Sequence, residues 1–573
     1  MLPSLLELHL SDCHINVNQL PLSLDTINFT SILVLDMSYN DLINSSFPSS
    51  FSNLTSLKEL DLSSNSFNGP FLDEFSSLKN LEHLDLSGMS LKGQIPHVIR
   101  NLCELKILNL RWNKFDGDLQ EFLNGSSNCR IIGGCGKLLF PLKFPKLSRL
   151  NLLHNQFEGT LELFPTNAPL LQYLELYDNR LKGSIPPSIC EMQYMKVLSL
   201  GNNRLSGELP QSWCSWGHIN VVDVGNNNLF GNIPSSMGIL SSLGVLKMND
   251  NDFGGEIPSS LKNCSELTDI DFSGNKLTGN LPLWIGSELS GLQILLLRFN
   301  FLSRTIPQQL CNLRELHILD LGHNDFSGTI PNCLSNLTNL VSADPLPYVY
   351  ENYEEQTTVI SKGRELQYSI VHTLLYVMSI DLSSNNLKGE IPEEISSLIR
   401  LGSLNLSRNQ LIGKIPSKFR NLSMLETLDL SFNHLSGQIP QSFSSLTSLS
   451  HLNLSNYLSG RIPTGPQLQT LENSSYVGNP LLCGFPLLSE CLGDDTPTKQ
   501  IFPGEDSEDE DDSEKLGFYI SMVLGFVISF WAVYGTLVLK RAWRYAYFRF
   551  CDNIKERIAL KIALKVARLQ GRL

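Results

Sequence analysis

Two short stretches carry residue types that phosphoryl-transfer enzymes use. Asp252-Phe253-Gly254 spells the magnesium-binding triplet of protein kinases, and Gly136-Lys137 has the glycine and lysine that end a phosphate-binding loop. The first lies in NDFGGEIP with no HRD or VAIK motif to accompany it, and Lys137 is followed by Leu138 rather than Ser or Thr. The spacings of zinc ligands, CxxC and HExxH, are also missing. The sequence therefore predicts no enzyme, no cofactor and no metal site.

The chemistry that remains is non-covalent binding. Aromatic and arginine side chains anchor many protein interfaces, and several stand beside short apolar segments together with other charged residues. The candidate ligand-binding residues are Arg111, Trp112, Tyr173, Tyr177, Lys247, Asp250, Arg298 and Phe299. A single residue of this kind is more often only solvated, so the elements that position them decide the interpretation.

Those elements are copies of the repeat LxxLxLxxNxLxGxIP. Clear copies occupy 57–69, 195–210, 267–282 and 425–440, and most copies follow one another at 24 residues, inside the 20–29 range of leucine-rich repeats. With Cys13 in the asparagine position of the first copy, about seventeen repeats are predicted. The other residues at that position are Asn40, Asn65, Met89, Asn113, Asn155, Asn179, Asn203, Asn227, Asn251, Asn275, Asn300, Asn324, Asn385, Asn409, Asn433 and Asn456.

The spacing predicts one short strand in each repeat. Leucines at period two point inward, the asparagine amide bonds neighbouring backbone, and stacked repeats bury one continuous core. The x positions then face outward and form a long binding surface, which holds the candidate residues. Strands before 341 vary in sequence and those after 376 are nearly uniform, so we expect a ligand side and a shared-partner side.

The LxGxIP extension resembles plant-type extracellular leucine-rich repeats. Over about 1–495 the chain looks like a kinase-less plant receptor-like protein of the ethylene-inducing-xylanase-receptor type. The resemblance implies an α/β solenoid of about seventeen repeats in a curved right-handed superhelix, followed by one C-terminal transmembrane helix. Because MLPSLLELHL lacks the basic start and cleavage site of a signal peptide, we expect an apparent N-terminal truncation.

Two interruptions break the period. One adds residues around 124–146, either a loop closed by Cys129 and Cys135 or a gene-model artefact. The other, 341–376, resembles the island domain of the family, with Tyr353 and Lys362-Gly363 in its Tyr-x8-Lys-Gly motif. Long interruptions of a compact fold are usually functional or disordered. We therefore expect contacts to a ligand or partner, with a tolerated surface loop as the alternative.

Residues 516–539 form an uncharged apolar run long enough to span a bilayer. The basic residues that follow place the C-terminus in the cytoplasm and residues 1–515 outside, as in a single-pass type I plasma-membrane protein. Every Asn-x-Ser/Thr sequon lies on the outer side, which predicts a glycoprotein. The candidate glycosylation sites are Asn28, Asn44, Asn53, Asn124, Asn263, Asn336, Asn405, Asn421, Asn453 and Asn473.

An extracellular location makes disulfides the default for cysteines. The resemblance implies that Cys483 and Cys491 close the C-terminal cap and that Cys311 pairs with Cys333. Cys190 and Cys214 also lie one repeat apart and form a further candidate pair.

The membrane run carries a stripe of small residues that would let another helix approach closely: Gly517, Ser521, Gly525 and Ser529. The resemblance implies that this stripe and the acidic segment before it engage an adaptor receptor-like kinase, and that a somatic-embryogenesis-type co-receptor kinase joins on ligand binding. The predicted organisation is repeats 1–13 at 1–340, island domain 341–376, repeats 14–17 at 377–460, cap 461–495, acidic juxtamembrane 496–515, transmembrane helix 516–539 and basic tail 540–573.

The predicted function is a cell-surface receptor that binds a protein or peptide and signals through partner kinases, in plant innate immunity and defence. The net charge of −14 argues against nucleic-acid binding. A developmental peptide-hormone receptor, an inactive fragment of a receptor gene and a secreted inhibitor of microbial hydrolases stay open as alternatives, and the membrane run counts against the last.

Overall fold

The structure is a computed structural model, and it describes most of the first 491 residues. The described ranges are 5–15, 31–42, 53–66, 73–124, 129, 144–162, 164, 168–213, 216–342, 357–361, 364–368 and 374–491.

One parallel sheet of seventeen strands, here called the long sheet, runs through these residues with one strand for each predicted repeat. Consecutive repeats pair in register; Val221, for example, lies between Val197 and Val245. The solenoid of parallel strands predicted from the repeat is confirmed. The strands are Glu7–His9, Val34–Asp36, Glu59–Asp61, His83–Asp85, Ile107–Asn109, Arg149–Asn151, Tyr173–Glu175, Val197–Ser199, Val221–Asp223, Val245–Lys247, Asp269–Asp271, Ile294–Leu296, Ile318–Asp320, Ser379–Asp381, Ser403–Asn405, Thr427–Asp429 and His451–Asn453.

The inward side of each strand supplies the core, and the asparagine after it ties neighbouring repeats together. Asn251 donates from Nδ2 to the carbonyl oxygens of Val224 at 3.0 Å and Met248 at 3.2 Å, and its Oδ1 accepts from the amide of Leu229 at 2.9 Å. The side chain is buried. Because a buried polar group is costly when unpaired, asparagine is kept where it satisfies backbone groups of two repeats.

The LxGxIP extension forms a second parallel sheet, here called the short sheet. Its glycines turn the chain at positive φ, as Gly279 does at +86°, but Arg304 holds the same position at +67°, where a side chain is strained. The strands are Lys182–Gly183, Arg204–Glu208, Asn228–Asn232, Asp252–Gly255, Lys276–Asn280, Phe301–Thr305, Asp325–Gly328, Asn386–Glu390, Gln410–Gly413, His434–Gly437, Tyr457–Arg461 and Leu481–Cys483; Lys92–Gly93 pairs separately with Lys114–Phe115.

Short helices return the chain from the short sheet to the long one. Most begin after the proline of LxGxIP, which fixes an extended residue at the helix start. The 3₁₀ helices are Asp73–Ser77, His97–Asn101, Pro187–Glu191, Ser235–Ile239, Ser259–Asn263, Gln308–Asn312, Asn332–Asn336, Thr338–Leu340, Glu393–Ser397, Ser417–Asn421, Gln441–Ser445 and Asn473–Tyr476, and the α-helices are Leu119–Asn124, Trp284–Glu288 and Pro466–Thr470.

The second interruption contains an antiparallel hairpin, here called the island hairpin. Its strands Thr357–Ser361 and Arg364–Tyr368 pair along their full length. The described residues between 5 and 491 include no helix long and apolar enough to cross a bilayer. The apolar run 516–539 and its stripe of small residues lie outside them.

Disulfides close several edges of the solenoid. Cys311 is bonded to Cys333 and Cys483 to Cys491, the two pairs that the resemblance implied. Cys190 is also disulfide-bonded, and Cys214 lies outside the described residues.

The loop closure expected between Cys129 and Cys135 is wrong. Cys129 bonds instead to Cys103, with Cα atoms 5.3 Å apart. Cys103 follows the 3₁₀ helix of the preceding repeat, so this disulfide ties the first interruption to the solenoid.

Candidate ligand surface

Each strand of the long sheet presents two side chains outward, one at each end. In the five strands from Glu7–His9 to Ile107–Asn109, here called the open half, all of these positions are exposed or half-buried. In the seven strands from Val197–Ser199 to Ser379–Asp381, here called the covered middle, every outward position is buried. The last three strands carry a mixture of buried and half-buried positions. The predicted outward surface is therefore accessible only in parts.

The island hairpin supplies part of the cover. The Lys247 Nζ donates to the Thr357 Oγ1 at 2.7 Å, and both residues are buried at 2% exposure. Two residues further along the hairpin, Val359 packs in an apolar cluster with Ile294, Leu296 and Ile318, together with Leu374 and Val377. Lys247 is thus a contact of the hairpin, and it does not face solvent as a ligand-binding residue must.

Several carboxyl groups are buried in the covered middle. The guanidinium of Arg298 lies between two of them, with Nη1 3.0 Å from Asp381 Oδ2 and 3.5 Å from Asp320 Oδ2. Burial and the neighbouring Asp381 carboxylate raise the pKa of Asp320 well above its usual range, against the opposing effect of Arg298. Burial raises the pKa of Asp271 to about 6 although Lys247 favours its charged form. The middle therefore holds carboxyls that favour a bound proton.

In the fifth to ninth repeats, the residues directly before the ladder asparagine form a row of side chains in contact with one another. Trp112 is half exposed and stacks on His154 with ring centroids 3.7 Å apart. The His154 Nδ1 lies 2.7 Å from Asp178 Oδ2, and Asn202 donates to the other oxygen of Asp178. Asn226 continues the row by donating to Asn202 Oδ1 at 2.7 Å. The structure thus joins Trp112 to residues that the sequence analysis did not select.

Tyr173 and Tyr177 lie beside this row. The Arg149 guanidinium is 4.0 Å from the Tyr173 ring centre, close enough for a cation–π contact, and Tyr177 meets His154 edge-on. Burial, with the carboxylates of Asp223 and Asp178, raises the Tyr177 pKa, so this phenol stays a neutral donor. Of the predicted residues, Trp112 and Tyr177 meet through His154, and Tyr173 contacts Arg149 instead.

The remaining predicted residues lie apart. Arg111 is half-buried on the repeat of Trp112, and Asp250 is exposed and accepts from Asn249 at 2.8 Å. Phe299 is half exposed and packs on His323 at 4.2 Å, with the Arg298 guanidinium 4.7 Å from its ring centre.

Several predicted positions have no described side chain. Tyr353, Lys362, Gly363, Asn28 and Asn44 lie outside the described residues, and only the backbone of Asn124 is described. The other sequons fall in two settings. Asn405 and Asn453 point outward from the long sheet and donate to Asp381 and Asp429. Those of the second setting, away from the long sheet's outer face, are Asn53, Asn263, Asn336, Asn421 and Asn473.

The family model described as Leucine Rich Repeat matches eight segments of the chain, and a second leucine-rich-repeat model matches 415–456. The eight segments are 56–78, 80–102, 170–192, 194–216, 266–287, 315–337, 376–398 and 400–422.

Two curated relatives come from Solanum lycopersicum. Receptor-like protein EIX2 is 51% identical over 309 residues, which are 51% of this chain and 30% of that protein. Receptor-like protein EIX1 is 46% identical over 313 residues, again 51% of this chain and 30% of that protein. The match thus spans less than a third of the length of either relative.

Solved structures agree on the fold. The Arabidopsis receptor kinase HAESA ectodomain, in complex with an IDA peptide hormone ligand, has a TM-score of 0.59 at 30% identity, over 82% of this chain and 73% of that one. The plant peptide hormone receptor RGFR1 in complex with RGF2 has a TM-score of 0.59 at 27% identity, over 81% and 76%. The matches are to receptor-like proteins and to leucine-rich-repeat ectodomains, which are not enzymatic, in agreement with the prediction that the chain is not an enzyme.

Proposed function

We propose that this chain, a plant leucine-rich-repeat receptor-like protein, binds a protein or peptide ligand on the outer face of its long sheet and signals through partner receptor kinases at the plasma membrane, in plant innate immunity. The observation that carries the proposal is the combination of an open outward face in the first five strands with 51% identity to a receptor-like protein. Trp112 lies in the last repeat of that face and Tyr173 and Tyr177 lie two repeats further on, and all three supply the aromatic contact area typical of interfaces.

The signalling part of the proposal rests on the sequence. The apolar run 516–539 would anchor the chain with its repeats outside. An adaptor receptor-like kinase would bind through the stripe of small residues and the acidic segment, and a somatic-embryogenesis-type co-receptor kinase would join with the ligand. A structural relative, HAESA, has been solved with the co-receptor SERK1, which supports the co-receptor step by analogy.

The test is co-immunoprecipitation of the tagged chain with the adaptor kinase from plant membranes. A variant with Gly517, Ser521, Gly525 and Ser529 changed to Leu should lose capture, because large side chains keep the two helices apart. A control with Val523 and Val527 changed to Leu carries bulk on another face and should keep it. Equal capture by all three proteins would contradict the stripe, and no capture of the unchanged chain would contradict kinase borrowing.

A second candidate is a developmental receptor for a peptide hormone. It is favoured by the two structural relatives that were solved with peptide hormones. To distinguish the two candidates, cells that express the chain are treated with microbial extracts in one arm and with plant hormone peptides in the other. A response that is confined to hormone peptides would replace the immune function with the developmental one.

A further inference from the structure

The covered middle of the long sheet buries carboxyl groups that stand on its outer face. Outward positions of the covered middle hold five aspartates, against the cations Lys247 and Arg298. In the open half the matching aspartates, such as Asp36 and Asp85, are only half-buried. A carboxylate buried in a dry site is unfavourable unless it is paired or takes up a proton. The aspartates are Asp223, Asp269, Asp271, Asp320 and Asp381.

The island hairpin packs on the outer face of the long sheet beside these aspartates. Thr357 contacts Lys247, and Val359 contacts Leu296 and its neighbours. The register of the long sheet places Asp271 between Lys247 and Leu296, and Asp320 directly after Leu296. The hairpin therefore contacts the sheet on both sides of Asp271 and next to Asp320.

We propose that the island hairpin is a proton-linked cover of the long sheet, which is docked at acidic pH and released as the pH rises. Release would expose the apolar outward positions beneath and beside it, which include Val245, Ile294 and Ile318. The docking equilibrium requires no ligand; its meaning for ligand access rests on the proposed function.

The direction of the pH effect follows from which state holds more protons. Burial raises the pKa of Asp271 to about 6 and that of Asp320 higher still. A carboxyl whose pKa is raised in the docked state stabilises docking below its ordinary pKa, and this contribution is lost as the pH rises through the raised pKa. Docking thus weakens from about pH 4 through pH 6 for Asp271 and beyond for Asp320.

Other titratable and charged groups near the hairpin do not reverse the direction of this pH effect. Arg298 keeps its charge at every pH considered, and Lys247 is held by Thr357. Burial and the neighbouring Arg298 lower the pKa of His323, which favours its neutral form. His317 is buried with its Nδ1 2.8 Å from the Val377 carbonyl oxygen. In sequence, the hairpin strands themselves carry Arg364, Glu365 and Tyr368.

The test is amide hydrogen exchange of the full chain in detergent, followed in peptides that cover 357–368. Protection factors, which divide out the intrinsic pH dependence of exchange, are compared at pH 5 and pH 8. An isolated two-stranded hairpin is marginally stable at best, so undocking should remove its protection. We expect a loss of about tenfold or more at pH 8, while peptides that cover 403–405 stay protected.

Three variants decide the cause. The double change Asp271→Asn and Asp320→Asn removes both titrations, and it should keep the hairpin protected at pH 8. Asp429→Asn makes the same change at an outward position of the last repeats and should behave as the unchanged chain. Val359→Glu should unprotect the hairpin at both pH values and so defines the released state.

Equal protection of the unchanged chain at pH 5 and pH 8 would overturn the proposal. So would loss of protection at pH 8 in the double variant, since the aspartates would then not be the switch. Neither outcome bears on ligand or kinase binding, so a failure here leaves the proposed receptor function to its own experiment.

Discussion

The open half and the covered middle share one repeat, one ladder of asparagines and one sheet, yet their outward faces differ in chemistry. In the open half the pairs are charged and wet: the Lys58 Nζ lies 3.1 Å from Glu82 Oε1, and Lys58 is about half exposed. In the middle the pair of Arg298 with Asp381 is almost fully buried. The comparison shows that a periodic scaffold sets where side chains point, whereas the island hairpin, which lies outside the period, buries those that it contacts.

The largest expected difference is the response of the two regions to a new charge. Ile318 and Ile107 occupy the same outward position, but Ile318 has no exposed surface and Ile107 is half-buried. Ile318→Asp should lower the free energy of unfolding by about 4 kcal/mol, since it places an unpaired carboxylate in an apolar cluster. Ile107→Asp should cost less than about 1 kcal/mol. Chemical denaturation of both variants measures the difference, and equal costs would contradict the cover.

The second largest difference should be the loss of stability when a cation is removed from each region. Arg298→Met leaves Asp320 and Asp381 buried without their partner, which should cost about 3 kcal/mol. While the hairpin is docked, the cost should increase as the pH rises above 5, because protonation relieves the unpaired charges at the lower pH. Lys58→Met is the matched change in the open half, and it should leave the denaturation midpoint unchanged because exposed ion pairs contribute little. A pH-independent cost for Arg298→Met would be inconsistent with a buried pair.

The asparagine ladder, in contrast, should contribute equally to stability in the two regions. Asn251 in the middle and Asn113 in the open half make the same bonds, each donating to two buried carbonyl oxygens and accepting from one amide. Asn251→Ala and Asn113→Ala should each cost about 2 kcal/mol, because both leave buried backbone groups unpaired. Thermal unfolding of the two variants should agree. A clear difference would mean that the hairpin also supports the ladder.

The sequence predicted the ladder and the strands because those features repeat, and the family resemblance implied the two disulfides Cys311–Cys333 and Cys483–Cys491. It did not predict the cover, since Lys247 and Thr357 are 110 residues apart and no period relates them. A usable signal was present: Val197, Val221 and Val245 are apolar in three successive repeats at positions that point outward. Apolar residues facing away from a solenoid's core indicate that something packs on them. Cys103 was missed because the first interruption broke the period that gives cysteines their neighbours.

The smallest expected effect concerns two acids, Glu82 and Asp271, whose pKa values are shifted in opposite directions. Hydrogen bonds from Lys106 and Lys58 lower the pKa of Glu82 to about 2, so Glu82 stabilises the fold above its ordinary pKa and loses that contribution only as the pH falls towards 2. Glu82→Gln should therefore leave the pH dependence of the unfolding midpoint between pH 5 and pH 8 unchanged. Asp271→Asn should flatten the decline in stability as the pH rises from about 4 to 6, because its raised pKa lies at the top of that window. If the pH dependence of the midpoint changed in Glu82→Gln but stayed as in the unchanged chain in Asp271→Asn, the pKa shifts assigned to the two acids would be contradicted.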